Sequence, residues 1–326
     1  MMNDYAALIT GGAGFIGSHL TERLIKEGCK VTILDNFSSS NIKKIKPFID
    51  SPLLIIIKED LKKPSKLNQI VKECKIIFHL AANPEVKVGE TNPQVHFREN
   101  ILTTFNLLKA IQQSNTPKTI IFTSTSTVYG EASQIPTSEN YAPLIPISTY
   151  GASKLASEAL ITSYAYTYNH RALILRLANI IGSKSNHGVI IDFIRKIGKN
   201  PKQLEILGDG LQEKSYLHIE DCIEAIIHLT SKFCRNKKRV DVYNIGSSDR
   251  ITVKEIAKIV KEEMKTPDIQ FKFTGGVDGG RGWKGDVKKM QLSINKLLKT
   301  GWKPKYTSRQ AVKLTTKTLK EEISSS

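Results

Sequence analysis

The sequence predicts an α/β protein with a doubly wound parallel sheet and a smaller C-terminal lobe. Three observations carry this. A short apolar segment runs into spaced glycines, Gly11-Gly12-Ala13-Gly14-Phe15-Ile16-Gly17, and a helical pattern opens at once. Strand-sized and helix-sized apolar segments then alternate over residues 1–178, the pattern of β-α-β units. Beyond Asn179 the alternation loosens into shorter pieces.

The glycine segment organises the chain. A strand over 6–9 precedes it, and Phe15, Ile16, Leu20 and Leu24 mark one face of the helix that follows. Gly12, Gly14 and Gly17 satisfy G-x-G-x-x-G, and Gly11, Gly14 and Gly17 satisfy G-x-x-G-x-x-G. Such glycines allow a tight turn and close approach of a pyrophosphate to the main chain. The helix start adds free N–H groups and a positive dipole end. A second strand over 30–34 ends in Asp35, 18 residues past Gly17. A carboxylate there suits ribose hydroxyls and repels a 2′-phosphate, which favours NAD over NADP. This is a Rossmann-like dinucleotide site.

The remaining elements follow in order. A polar turn over 36–40 leads to a basic helix over 41–49. The continuous apolar run over 53–57 reads as a strand covered on both faces. A helix over 64–72 and a strand over 76–80 follow, ending at Ala81-Ala82, where small side chains leave room for a ligand. Asn92-Pro93 starts a long helix over 92–114, with Phe97, Ile101, Phe105, Leu108 and Ile111 at helical spacing. A strand over 119–123 continues into Ser124-Thr125-Ser126-Thr127-Val128-Tyr129-Gly130. A helix over 148–168 and a strand over 172–177 complete the domain, residues 1–178.

Residues 179–326 form mainly a substrate-binding lobe, with some segments returning to the first domain. Helices are expected over 189–199, 219–232 and 252–264, and strands over 204–207, 216–219 and 242–245. The stretch 294–326 reads as helical with one turn at Gly301-Trp302.

Composition sets the class. The 326 residues are 40% hydrophobic and 24% charged, as in soluble globular proteins, and no apolar run approaches a membrane span. The chain enters its first strand almost at once, which argues against a secretory leader. Cys29, Cys74, Cys222 and Cys234 show no metal spacing and read as reduced thiols of a cytoplasmic protein. The net charge of +17 comes from lysines spread along the chain, with Lys237-Lys238-Arg239 the only basic triplet. This argues against a nucleic-acid stripe.

The chemistry centres on Tyr150 and Lys154, one helical turn apart and on one face. A tyrosine near its usual pKa of ~10 is a poor base at neutral pH, and a nearby ammonium favours the phenolate. Thr125 at the end of the preceding strand offers a hydroxyl to a substrate hydroxyl. Together these residues suit alcohol-to-ketone oxidation beside a nicotinamide.

On the residues Gly11 to Gly17, Asp35-Asn36, Asp60-Leu61, His79 to Ala82, Asn100, Thr125 to Gly130, Tyr150/Lys154 and Arg176 to Asn179, the chain resembles the extended short-chain dehydrogenase/reductases. Within these it is similar to the NAD-dependent epimerase/dehydratase family, over essentially its full length. The resemblance implies a 4-epimerase that interconverts UDP-glucose and UDP-galactose, or a related UDP-hexose, through a 4-keto sugar with NAD kept bound. Tyr150 would take the C4 hydroxyl proton with Thr125 on the same oxygen, and Lys154 would hold the nicotinamide ribose. Further cofactor contacts fall on Gly11, Gly14, Phe15, Ile16, Gly17, Asp35, Asn36, Ser38, Ser39, Asp60, Leu61, Leu80, Ala81, Ala82 and Asn100. Substrate contacts fall on Glu85, Thr125, Ser126, Tyr150, Asn179, Val189, Lys214, Arg281 and Asp286, and no metal is expected. The helices over 92–114 and 148–168 match the pair through which the family forms homodimers.

Two positions depart from the family pattern. Lys214 and Trp283 stand where arginines are usual, so the bidentate fork for a diphosphate is lost at these two positions, with Arg281 nearby as the alternative to the second. Ser126 and Thr127 stand where 4,6-dehydratases carry Asp-Glu, and UDP-glucuronate decarboxylases commonly have Glu at the latter. Those sister activities are the alternatives within the class. A cofactor-bearing protein that reads RNA or regulates is the alternative outside it.

Overall fold

A computed structural model describes residues 6–324. The first half runs β1 (Ala7–Thr10), α1 (Phe15–Lys26), β2 (Val31–Asp35), β3 (Leu54–Lys58), α2 (Leu67–Glu73), β4 (Ile76–His79), α3 (Val88–Thr91), α4 (Gln94–His96), α5 (Thr103–Gln113), β5 (Thr119–Thr125), α6 (Thr149–Thr167) and β6 (Arg171–Leu177). Then come β7 (Asn179–Ile181), α7 (Val189–Lys199), β8 (Gln203–Ile206), β9 (Glu213–Lys214), β10 (Tyr216–His218), α8 (Ile219–Arg235) and β11 (Val240–Ile245). The chain ends with β12 (Ile251–Thr252), α9 (Val253–Glu263), β13 (Gln270–Phe273), β14 (Lys289–Met290), α10 (Asn295–Leu298) and α11 (Ser308–Ser324).

Seven strands form one Rossmann-like sheet in the order β11-β6-β5-β4-β1-β2-β3. Its pairing is parallel: Ile9 lies beside Ile33 on one side and Phe78 on the other. Every residue of β1 and β4 is buried, as expected for central strands with helices on both faces. The chain winds outward from β1 in both directions, so the order reverses between β1 and β4. Ligands of such sheets bind beyond the carboxyl ends of the strands at that reversal. The glycine turn after β1 and Leu80-Ala81-Ala82 after β4 stand there.

The chain divides into two compact units. The first comprises residues up to Val128 with Thr149–Arg176 and Ile223–Tyr243. Its core gathers Leu8, Leu34, Ile77, Ile120, Phe122 and Ile174 from the sheet with Leu107, Leu108, Ile111 and Ile161 from the helices. The second comprises Tyr129–Ser148, Leu177–Cys222 and Asn244 onward. There Ile190, Ile194 and Ile197 of α7 pack with Ile256 and Val260 of α9, and with Val312 of α11. Thr252 and Glu255 close a reciprocal capping box at the start of α9.

Several elements differ from expectation. The segment 41–49 is not a helix but two 3₁₀ turns, Ile42–Lys44 and Lys46–Phe48, because Pro47 lacks the N–H that would join them. The β3 strand is an edge strand, and Ile55 on it is 57% exposed rather than covered on both faces. The helix over 92–114 contains a π-helical stretch, Phe97–Leu102, between α4 and α5. The extra residue in that turn shifts the apolar stripe. Leu108 and Ile111 stay buried, whereas Phe97 and Phe105 are 58% and 43% exposed. The strand expected over 242–245 is β11, at the edge of the main sheet. Among the described residues of 294–324, helix covers only α10 and α11, and residues 299–307 between them are not helical.

Candidate active site

The glycine turn is built by steric necessity. A Cβ on Gly17 would lie 2.1 Å from the Gly11 carbonyl oxygen, and one on Gly12 would lie 2.4 Å from Cγ2 of Ile33. Gly11 has φ +72°, and a Cβ there would meet the Ala81 nitrogen at 2.8 Å. Gly14 caps α1 in extended conformation, so Phe15 and Ile16 begin that helix beside the turn.

Asp35 is buried at the end of β2 and faces this turn. Its Oδ2 accepts from Ala13 N at 3.0 Å, and its Oδ1 accepts from Phe37 N and Ser40 Oγ, each at 2.8 Å. Asn36 Oδ1 accepts from Ser38 N and Oγ, and its amide donates to Asp60 Oδ2 at 3.3 Å. Ser39 lies in the same turn. Burial raises the Asp60 pKa, but the Lys62 N–H and the Asn36 amide outweigh it and hold the carboxylate below its usual range. Leu61 beside it is buried. Asp35, Asn36, Ser38 and Asp60 thus form one polar rim. Ala13 of the glycine motif joins it through its backbone N–H, and Ser40 belongs to it although no sequence motif marks that residue.

Beyond β4, Leu80 N donates to Thr10 O, and Ala81 N to Thr10 Oγ1. Asn100 sits in the π-helical stretch, 1% exposed, with its side chain bonded inside the protein. Its Oδ1 accepts from Asn83 N at 2.8 Å, and its Nδ2 donates to Ser153 Oγ at 2.8 Å. Glu85, two residues on from Asn83, is exposed. His79 bridges Thr10 and Thr104, and burial pushes its pKa down to about 3, so it is a neutral structural link.

The β5 strand delivers Thr125, and α6 delivers Tyr150 and Lys154. Thr125 stands close enough to Tyr150 for its hydroxyl to favour the phenolate. Thr125 Oγ1 also accepts from Thr127 N and Thr127 Oγ1, both at 3.2 Å, and Ser126 is buried beside it. The expected lowering of the Tyr150 pKa is not what the geometry produces. Burial pushes it up to about 12, and the Thr125 hydroxyl opposes this only in part. The same burial lowers the Lys154 pKa to about 7, with Glu158 acting against it.

Lys154 Nζ lies 4.1 Å from the Phe122 ring centroid, and among the described residues it forms no ion pair. Glu158, one turn further along α6, is spent elsewhere. It accepts from Arg176 Nη2 at 2.7 Å and from Ser124 Oγ at 2.5 Å, deep in the first unit. This buried cluster was not legible in the sequence.

In the second unit, Lys214 on β9 is ion-paired with the buried Asp286, whose Oδ2 accepts from Gly282 N at 3.2 Å. Lys214 Nζ lies 5.5 Å from the Trp283 ring, and the indole Nε1 is buried without a hydrogen-bond partner. Arg281 pairs with Glu131, which raises its pKa. Asn179 opens β7 and donates to Ser215 O, and Val189 opens α7 after Gly188. Among the described residues no group of three acidic, histidine or cysteine side chains could hold a metal. Nor is any helix there long and apolar enough to cross a membrane.

The residues of the first unit fit NAD. A turn whose only side chain is the Ala13 methyl stands at the helix start, a buried carboxylate closes it, and a buried ammonium has donors to spare.

Residues 7–246 match the model of the NAD dependent epimerase/dehydratase family. A Methanocaldococcus jannaschii protein, assigned provisionally as a UDP-glucose 4-epimerase, is 33% identical over 310 residues, 94% of this chain and 95% of its own. UDP-glucuronic acid decarboxylase 4 of Arabidopsis thaliana is 29% identical over 325 residues, 97% of this chain and 69% of its own. A crystal structure of UDP-galactose 4-epimerase aligns with a TM-score of 0.85 and 38% identity, over 98% of this chain and 99% of its own. The chain therefore belongs to the NAD-dependent epimerase/dehydratase family of enzymes.

Proposed function

We propose that this chain is a nucleotide-sugar 4-epimerase that interconverts UDP-glucose and UDP-galactose, or a related UDP-hexose. The observation that carries the reading is Thr125 set beside Tyr150, with Lys154 one turn along the same helix. Bound NAD would accept the sugar C4 hydride and return it. Tyr150 takes the proton of the C4 hydroxyl and later gives it back, so no net proton is consumed. Thr125 orients that hydroxyl and favours the Tyr150 phenolate. Lys154 offers its ammonium to the nicotinamide ribose, and Asp35 and Asn36 take the adenosine ribose.

The end of β5 favours epimerisation over its sister reactions. Ser126 and Thr127 place hydroxyls there, and Thr127 is bonded to Thr125. Neither can act as the carboxyl acid or base that loss of water requires. We assign Asn179, Val189, Lys214, Arg281 and Asp286 to the nucleotide, and Glu85 to the sugar. We also propose a homodimer through the helical stretches over 92–114 and 148–168.

The test is incubation with UDP-galactose without added NAD, with UDP-glucose scored by chromatography. Wild type should convert, and Tyr150→Phe should lose at least about 10²-fold in rate. No conversion of UDP-galactose or its N-acetyl and uronic-acid counterparts would overturn the reading. Release of a pentose nucleotide from UDP-glucuronate would move it to decarboxylation.

A further inference from the structure

We propose that His96 is a positioning residue that holds Tyr150 and the segment carrying Glu85 in one fixed arrangement. The inference rests on the reading of Tyr150 as the proton-transfer residue. His96 closes α4 and is 1% exposed. Both ring nitrogens are engaged. Nε2 lies 3.1 Å from the Glu85 carbonyl oxygen, and Nδ1 lies 2.8 Å from Thr149 Oγ1. A carbonyl can only accept, so Nε2 carries the hydrogen of the neutral ring. Nδ1 then accepts from the Thr149 hydroxyl.

Thr149 is the first residue of α6, directly before Tyr150. The His96 ring also meets the Tyr150 ring edge-on, with centroids 5.7 Å apart and planes at 61°. A third segment converges here. A Cβ on Gly89 of α3 would lie 2.1 Å from Thr149 Oγ1 and 3.2 Å from His96 Cε1. One buried ring therefore ties a substrate-facing segment, α3 and the start of the helix bearing Tyr150.

The reason for such a tie is the place of Tyr150. It stands in the first turn of α6, where backbone N–H groups lack intrahelical partners and the helix frays most easily. Proton transfer needs the phenol oxygen within hydrogen-bond reach of the substrate hydroxyl. A displacement of about 1 Å can cost on the order of 10²-fold in rate. The His96–Thr149 bond fixes the backbone residue before Tyr150, and the ring contact limits rotation of the phenol. Burial holds the His96 pKa below its ordinary value, and the bond to the Glu85 carbonyl, then the Glu99 and Glu85 carboxylates, act in the opposite direction. The neutral ring that this bonding pattern uses is thereby favoured.

The test compares wild type with His96→Leu, His96→Asn and Thr149→Val. Readouts are kcat and KM for a UDP-hexose that wild type converts, the NAD content of purified protein, and ¹⁵N-histidine NMR. The Asn amide oxygen can replace Nδ1 as acceptor for Thr149, and Leu cannot. His96→Leu and Thr149→Val should lower kcat by about tenfold or more, with KM and NAD content within about twofold of wild type. His96→Asn should restore kcat to within about threefold. In wild type the ring resonances lost in the His96 variants should show the Nε2–H tautomer near about pH 8.

Unchanged kcat in Thr149→Val overturns the inference, as does equal loss of kcat, KM and NAD in His96→Leu and His96→Asn. If wild type converts no UDP-hexose, it is the reading of Tyr150 that fails. The NMR arm then decides alone, and an Nδ1–H tautomer overturns the arrangement itself.

Discussion

Lys154 is held in two opposing fields. Burial disfavours its charge, while the Phe122 face and Glu158 favour it, and the outcome is a pKa of about 7. In the unfolded chain the ordinary value is about 10.5. Between the two values the unfolded chain binds more protons, so stability rises with pH across that window. The contribution is complete above about 10.5 and is lost as pH falls to about 7. Lys154→Met removes a buried charge that is costly at low pH. Its melting temperature should exceed that of wild type at pH 6, and the gap should shrink toward pH 10. A gap that grows with pH would contradict the burial of the ammonium. Tyr150 has the opposite sign: its neutral form is favoured, and its contribution is lost only as pH climbs from about 10 to about 12.

At the scale of elements, Gly11 and Gly12 of the turn after β1 and Gly17 in the first turn of α1 have no room for a Cβ. Gly17→Ala would force a Cβ into the Gly11 carbonyl, an overpacking cost on the order of 1–3 kcal/mol. That outweighs the ~1 kcal/mol that alanine gains over glycine in a helix. Gly198 in α7 has open space around it, so Gly198→Ala should stabilise by about 0.5–1 kcal/mol. Denaturant midpoints should move in opposite directions, and only Gly17→Ala should purify with less NAD. The glycines, Asp35 and the Tyr150/Lys154 pair were legible because spacing along one turn or one β-α-β unit dictates them. His96 with Thr149, and Glu158 with Ser124, were not, since these partners lie 53 and 34 residues apart and meet only through the fold. Strands β9 and β12 have two residues each and carry no periodicity to read. The exposure of Ile55 follows from strand order, which an apolar run does not state.

At the scale of the whole molecule, the proposed homodimer has a direct check. Phe97 and Phe105 are exposed apolar rings on consecutive helical stretches, and Tyr166 on α6 is 64% exposed. Sedimentation at micromolar concentration should give a dimer, and Phe105→Glu should shift it toward monomer by placing a charge in an apolar contact. A monomer in wild type would remove the proposal. The net charge of +17 implies self-repulsion, so dimerisation should strengthen with added salt. The strand order also bears on how the chain is made. A ribosome releases β6 early, but its outer neighbour β11 only after residues 178–239 have been synthesised. Throughout that interval β6 presents a bare hydrogen-bonding edge to other nascent chains. The last strand to join the sheet therefore takes over its edge from β6. A chain stopped before residue 240 leaves β6, whose residues Ala172 to Leu177 the complete fold buries, as that edge and prone to pairing with its neighbours.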